Sequence, residues 1–273
     1  MNGIVLIFMH LGKTAGGTFT RACAARFRPE EVFHLSGPRA NALGLVPLED
    51  ARASVQNKLN GDVAGLRFVF GHVPFGTHYL FHPAKYFTLV RDPVDRLISQ
   101  YYYLRSLDLS AWPPAPRFLR MSLLEFVQSR MTPDTYNGQV RAICGMDVPK
   151  FIDGRDIDFP MVVESDWNRA LANIKDHFIF LAPHSDVDSV ICIFSRMFGL
   201  SVEEVCAPSD NVTVGRPPLQ DISPEVRRLA AEHNRFDCRL VNYARASFNE
   251  FKKTLPYDLA ADVAKLRMRR AEC

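Results

Sequence analysis

The sequence lacks any long hydrophobic run. Its apolar opening, Gly3-Ile4-Val5-Leu6-Ile7-Phe8-Met9, stops at His10, well short of the ~18 apolar residues of a membrane span. No basic residues precede it and no small-residue cleavage site follows, so it does not read as a signal peptide. The expectation from sequence is a cytoplasmic protein without an anchor. Cysteine pairs are also missing. Cys23, Cys144, Cys192, Cys206, Cys238 and Cys273 show no C-x-x-C spacing, which argues against zinc-type pairing and predicts reduced thiols. Net charge is small, +3 from 33 basic and 30 acidic residues. That balance argues against nucleic-acid binding and against a broad basic groove for long polyanions, while a local basic pocket can hide in the sum. No internal repeat and no clean linker divide the chain.

The 273 residues are 47% hydrophobic and 23% charged, ordinary for a globular chain. A chain near this size buries roughly three quarters of its unfolded surface, so it needs no metal or disulfide staple. We read residues 1–273 as one domain, with 265–273 as a basic tail that frays. Ile4 to Phe8 reads as a fully buried strand, because it is apolar without alternation. Helical spacing follows it at Phe19, Ala22, Cys23 and Phe27. A helix is expected over Leu48 to Leu59, and strands at Arg67–Phe70, Tyr86–Val90, Met161–Val163 and Phe178–Leu181. Asp92-Pro93 opens a helix with the apolar stripe Val94, Leu97, Ile98, Tyr101 and Leu104. Trp112-Pro113-Pro114-Ala115-Pro116 reads as a surface loop. Ser122-x-x-Glu125 is a capping box. A helix follows Ser185-x-x-Asp188 and stops at Gly199, and Ser223-Pro224-Glu225 starts a helical stretch reaching Lys253. Strands alternating with helices imply an α/β fold with a mostly parallel sheet flanked by helices.

Two places carry the chemistry. His10-Leu11-Gly12-Lys13-Thr14-Ala15-Gly16-Gly17-Thr18-Phe19 lies between the first strand and helix. Small residues there let backbone N–H groups converge, the helix start adds its positive dipole, and Lys13 adds a full charge: the parts of an anion site. Gly12-Lys13-Thr14 is like the end of a Walker A motif, but Ile7 stands where that motif needs its first glycine. The second place is Val90-Arg91-Asp92-Pro93-Val94-Asp95-Arg96-Leu97-Ile98-Ser99. A strand delivers Arg91 to its carboxyl end, where open α/β sheets bind ligands, and Ser99 lies off the apolar stripe of the helix that follows. The planar, permanently charged fork of arginine suits a terminal phosphate.

This pair, a Lys-Thr-x-Gly loop and an Arg-Asp-Pro…Arg…Ser element, resembles the carbohydrate sulfotransferases that use 3′-phosphoadenosine-5′-phosphosulfate (PAPS). Within that family the run from Val90 to Tyr103 is similar to the heparan and dermatan uronyl 2-O-sulfotransferases and their bacterial relatives. Gly71-His72-Val73-Pro74-Phe75 resembles the family's catalytic-histidine segment, Asn137-Gly138-Gln139-Val140-Arg141 its Asn-x-Gln segment near the acceptor, and Asn234-x-x-Asp237-x-x-Leu240 its last helix. The resemblance implies a P-loop-like sulfotransferase fold and a PAPS-dependent O-sulfotransferase. Lys13, Thr14, Ala15, Gly16, Gly17, Thr18 and Phe19 would hold the 5′-phosphosulfate, and Arg91 and Ser99 the 3′-phosphate. Asn137, Gln139 and Arg141 would face the acceptor, a glycan or glycolipid. No metal is implied, and adenosine 3′,5′-bisphosphate (PAP) would be the product. The sequence departs from the family at Gly12, where it usually has Pro, at Gly16-Gly17-Thr18 in place of Gly-Thr-Ser, and at Ser185, where it usually has Glu.

Sulfuryl transfer asks for in-line geometry and neutralisation of developing charge. Lys13 is the candidate for stabilising the leaving phosphate. His72 is the candidate base, because an imidazole titrates near neutrality. His78-x-x-x-His82 has a metal-like spacing, but it lacks a glutamate partner and Pro83 follows at once. Two other readings stay open on the residues alone: a P-loop-like small-molecule kinase, and a non-catalytic nucleotide- or glycan-binding module.

Overall fold

The computed structural model describes residues 3–35, 45–108, 115–146, 159–206 and 215–272. In chain order the described elements are β1 (Val5–Met9), α1 (Gly16–Cys23), β2 (Val32–His34), α2 (Leu48–Leu59), β3 (Phe68–Gly71), β4 (Ala84–Val90), α3 (Pro93–Arg105), α4 (Ala115–Phe118) and α5 (Leu123–Gln128). They continue with α6 (Gly138–Cys144), α7 (Glu164–His177), β5 (Phe178–Pro183), α8 (Val187–Phe198), α9 (Pro224–His233), α10 (Arg235–Lys253) and α11 (Leu259–Glu272). The strands form one sheet in the order β2-β3-β1-β4-β5, every neighbouring pair parallel. This is the expected α/β architecture, a parallel sheet flanked by helices.

Every residue of β1 is buried, because β1 is the middle strand and both its faces are covered. Successive side chains leave a strand on opposite faces. Val5, Ile7 and Met9 therefore join one core with Tyr86, Val90, Ile143, Trp167 and Leu240, while Leu6 and Phe8 join the other with Phe19, Phe87, Leu89 and Phe194. The α3 stripe packs as read: Val94, Leu97, Ile98 and Tyr101 are buried in a third cluster with Phe126 of α5 and Val226 of α9, and Leu104 packs against it. Asp92 caps α3 by accepting from Asp95 N at 3.0 Å. The Ser122–Glu125 capping box and the Gly199 stop are present too.

Several expectations change. Met161–Val163 is not a strand; it leads directly into α7, whose first turn Asp166 closes by accepting from Val163 N at 3.0 Å. The long helix from Pro224 breaks at Asn234 into α9 and α10. Asn234 turns its side chain to other backbone groups, accepting from Asn137 N and donating to the carbonyls of Thr135 and Ala230. Trp112–Pro114 lie outside the described residues, but Ala115–Phe118 is a helical turn; Pro116 is tolerated at a helix start, where its missing N–H costs nothing. The basic tail does not fray: Lys265 to Arg270 belong to α11, which packs along α8 and seats Leu266 in the core. Strand β2 had no clear sequence signal. Cys23, Cys144, Cys192 and Cys238 are free thiols; Cys273 lies outside the described residues. No described helix is long and apolar enough to cross a membrane.

Candidate active site

In this strand order the chain crosses sides after β3, so β1 has β3 on one flank and β4 on the other. A switch of that kind opens a crevice at the carboxyl ends of the strands. The residues immediately after β1, β3, β4 and β5, namely His10, His72, Arg91 and His184, all line one cavity of 520 Å³. The fold thus brings together residues 174 positions apart in sequence (10 to 184) by giving each the same place at a strand end.

The β1–α1 loop forms one wall, through Gly12, Lys13, Ala15, Gly16, Gly17 and Thr18. Its tight turn is made by Lys13 (φ 64°) and Ala15 (φ 68°), both in the left-handed region. Non-glycine residues there cost of order 1 kcal/mol or more each. Thr14 braces the loop from inside, donating its hydroxyl to Leu11 O at 2.8 Å. Gly16 is needed for a different reason: a Cβ at this position would run into the His10 ring. Two residues read as donor-binding do not face the cavity with their side chains. Thr14 is buried and spent on the loop. Phe19 is buried among Phe8, Phe68, Phe87 and Phe194.

Lys13 points its ammonium over the Tyr103 ring, 3.9 Å from the centroid. Burial, then the charges of Arg91 and Arg216, lower its pKa to about 8. Ser99 and Tyr103 line the cavity one turn apart on α3. Arg91 is held by its surroundings: its N–H groups donate to Asp95 at 2.6 Å and to the Lys13 carbonyl at 3.0 Å. Arg91 thus pairs with Asp95, in the first turn of α3, and Arg216 bonds the same carboxylate.

His72 follows Gly71 at the end of β3. Its Nδ1 lies 2.7 Å from the His10 carbonyl. A carbonyl only accepts, so Nδ1 carries the proton and the lone pair of the neutral ring sits on Nε2. The His10 ring stacks on it with centroids 4.3 Å apart, and Phe8 flanks His10 on another side. Burial lowers the pKa of His72, and the His10 hydrogen bond opposes that shift. His10 is lowered further, to about 3, first by burial and then by His72, His34 and Lys13. Both rings are neutral at pH 7.

Asn137, Gln139 and Arg141, read as acceptor contacts, are instead spent inside the protein. They are buried. Asn137 bonds the His233 carbonyl and the N–H groups of Phe236 and Asp237. Gln139 bridges both backbone groups of Arg91, and Arg141 donates to the carbonyls of Tyr136 and Pro160. This segment is a brace behind the cavity that fixes Arg91, not a wall of it. His78 is likewise internal, bonded to the Tyr86 hydroxyl, and no acid, histidine and cysteine group among the described residues is arranged to hold a metal ion.

Comparison with curated proteins finds stretches 31% identical in heparan sulfate 2-O-sulfotransferase 1 of Cricetulus griseus (108 residues), Xenopus laevis (109 residues) and Gallus gallus (108 residues), each covering 37% of this chain. No protein-family model matches the chain. The chain resembles the carbohydrate sulfotransferases. The resemblance is partial: the match spans 30% of the length of these relatives.

Sequence reading missed six lining residues: His10, Tyr103, His184, Val187, Asp188 and Arg270. His10 and His184 had a usable signal, because each directly follows an apolar strand. Tyr103 had one as well, four positions after Ser99 on the same helix face. Asp188 and Arg270 had none, since they meet only through the packing of α11 on α8. Ser185, at the place of the family's glutamate, is exposed and bonds Asp186.

Proposed function

We propose that the protein, acting as one unit, transfers a sulfuryl group from PAPS to a hydroxyl of a carbohydrate acceptor. The observation that carries this reading is the convergence of Lys13, His72, Arg91 and Ser99 on one cavity at the switch point of the sheet. Lys13, Arg91 and a helix start face that cavity, which suits a compact nucleotide bearing two phosphate groups.

The donor supplies an activated sulfur whose bond to phosphate oxygen breaks as the acceptor oxygen attaches. His72 accepts the acceptor's proton at Nε2, because Nδ1 is committed to the His10 carbonyl. Its lowered pKa keeps it neutral and able to accept. Lys13 places an ammonium at the 5′ end of the nucleotide, where negative charge builds on the departing oxygen. Arg91 and Ser99 orient the 3′-phosphate. The reaction returns PAP and the sulfated acceptor, and the proton leaves through His72. With a formal net charge of only +3, a neutral or short glycan or glycolipid is as suitable an acceptor as a long polyanion.

Donor choice is tested by thermal stabilisation. PAP should raise the melting temperature, and ATP with magnesium should raise it much less. Equal stabilisation by the two would count against the reading and favour a kinase.

A further inference from the structure

The last described helix brings an arginine to the cavity that neither phosphate element contains. Arg270 of α11 lines the cavity together with Asp188, in the first turn of α8. Its Nη1 donates to Asp188 Oδ1 at 2.6 Å. The side chain is only 15% exposed, yet its Nε and Nη2 are buried without a hydrogen-bond partner among the described residues. Other arginines carry an unpartnered buried nitrogen, but among the described residues Arg270 is the one that also lines the cavity.

The Asp188 carboxylate is shared by two guanidiniums, Arg270 and Arg267, the latter donating to Oδ2 at 2.8 Å. Arg270 therefore shares its one carboxylate partner with a second arginine, at a cavity that the first turn of α1 also lines. A buried donor left unmade is expensive, and the fork of a guanidinium matches phosphate oxygens in two-point contact. Asp188 also anchors Arg270 against the cavity wall, so little side-chain freedom is lost when an anion arrives. Arg267 is anchored to the same carboxylate, but it is 63% exposed and does not line the cavity.

We propose that Arg270 is a third phosphate-binding cation of the nucleotide site, delivered by α11 and positioned by Asp188. The inference rests on the nucleotide reading of this cavity. It makes α11 part of the binding site, so docking of this helix and occupation of the cavity are linked.

The test is equilibrium binding of PAP, adenosine 5′-phosphate, adenosine 3′-phosphate and adenosine to the wild-type protein and to the Arg270→Ala and Arg267→Ala variants, with each unliganded melting temperature measured alongside. Arg270→Ala should weaken PAP binding about 10-fold or more, the scale of one lost charge-assisted hydrogen bond. Arg267→Ala should leave PAP affinity within about 2-fold, the ordinary scale for an exposed pair. Whichever monophosphate shows the larger loss identifies the phosphate that Arg270 contacts. Equal losses in the two variants would overturn the proposal by reducing α11 to a structural clasp. An equal loss for adenosine would overturn it by placing the contact on the base. Wild-type protein that binds none of these nucleotides would refute the nucleotide reading itself, and this inference with it.

Discussion

His72 donates through Nδ1 to the backbone carbonyl of His10, and the two imidazoles stack with their centroids 4.3 Å apart. One contact sets the tautomer and the other sets the ring plane. Together they present Nε2 of His72 as a proton acceptor. A base held in this way should be worth roughly 10²- to 10⁴-fold in rate. His72→Ala should therefore lose turnover on that scale while PAP affinity, measured by calorimetry, stays near wild type. A large loss of donor affinity with turnover intact would show that His72 binds rather than reacts.

Lys13 should leave a mark on the alkaline side of the pH profile. With its pKa lowered to about 8, the free enzyme loses the ammonium as pH rises through that value. Thus kcat/KM, which reports the free enzyme, should fall there. On the acid side His72 must be neutral, and its lowered pKa should keep activity up below pH 6.5. Lys13→Arg should abolish the alkaline fall, since arginine keeps its charge. A fall near pH 8 that survives in Lys13→Arg would assign it to another group.

The Gly16 position should be intolerant of even one methyl group. Its Cβ would run into the His10 ring, and overpacking of this kind costs about 1–3 kcal/mol. Gly16→Ala should lower stability by that amount in urea denaturation. Gly12→Ala should be close to neutral in the same assay, because a Cβ there meets nothing within 4 Å. Equal stability of the two variants would show that the His10 ring is not fixed against α1.

Much of the frame was legible because the strands are uninterrupted apolar runs with clear stops. Helix α2 has the bounds expected from the sequence, Leu48–Leu59. Lys13, Arg91 and Ser99 were legible as cavity residues because position at a strand end or on a helix face decides where they point. Asn137, Gln139 and Arg141 were not, since the same polar types serve as ligands or as internal braces. What decides between these roles is burial against parts of the chain distant in sequence, α10 for Asn137 and Gln139 and Pro160 for Arg141, which no local pattern encodes. The loop shows a related limit: its left-handed residues are Lys13 and Ala15, positions that no residue type in the sequence marks.

That brace gives a stability prediction. Asn137→Ala removes the side-chain bonds to His233, Phe236 and Asp237 and leaves buried backbone groups unpaired, at about 1–3 kcal/mol for each unsatisfied group. The variant should unfold at clearly lower urea, and its KM for the acceptor should be unchanged where the folded protein persists. A raised acceptor KM with unchanged stability would restore Asn137 as an acceptor contact.

Acid should weaken the fold through His10. Its pKa is about 3 in the folded protein and near 6.5 in the unfolded chain, so between those values the unfolded chain binds the extra proton. The stability contribution is complete above pH 6.5 and is lost progressively as pH falls toward 3. His10→Phe keeps an aromatic ring between Phe8 and His72 and removes the proton. Its stability should fall less steeply over that window, and identical slopes would place His10 in water in the native state.

Sulfuryl transfer itself can be read directly. Mass spectrometry of a panel of uronic-acid and neutral glycans incubated with PAPS, using wild-type protein and His72→Ala, tests it most directly. Wild-type protein should add one sulfo group to an acceptor hydroxyl and release PAP in equal amount, and His72→Ala should lose or greatly reduce the product. PAP binding without sulfated product across the panel, or equal product from both proteins, would contradict it.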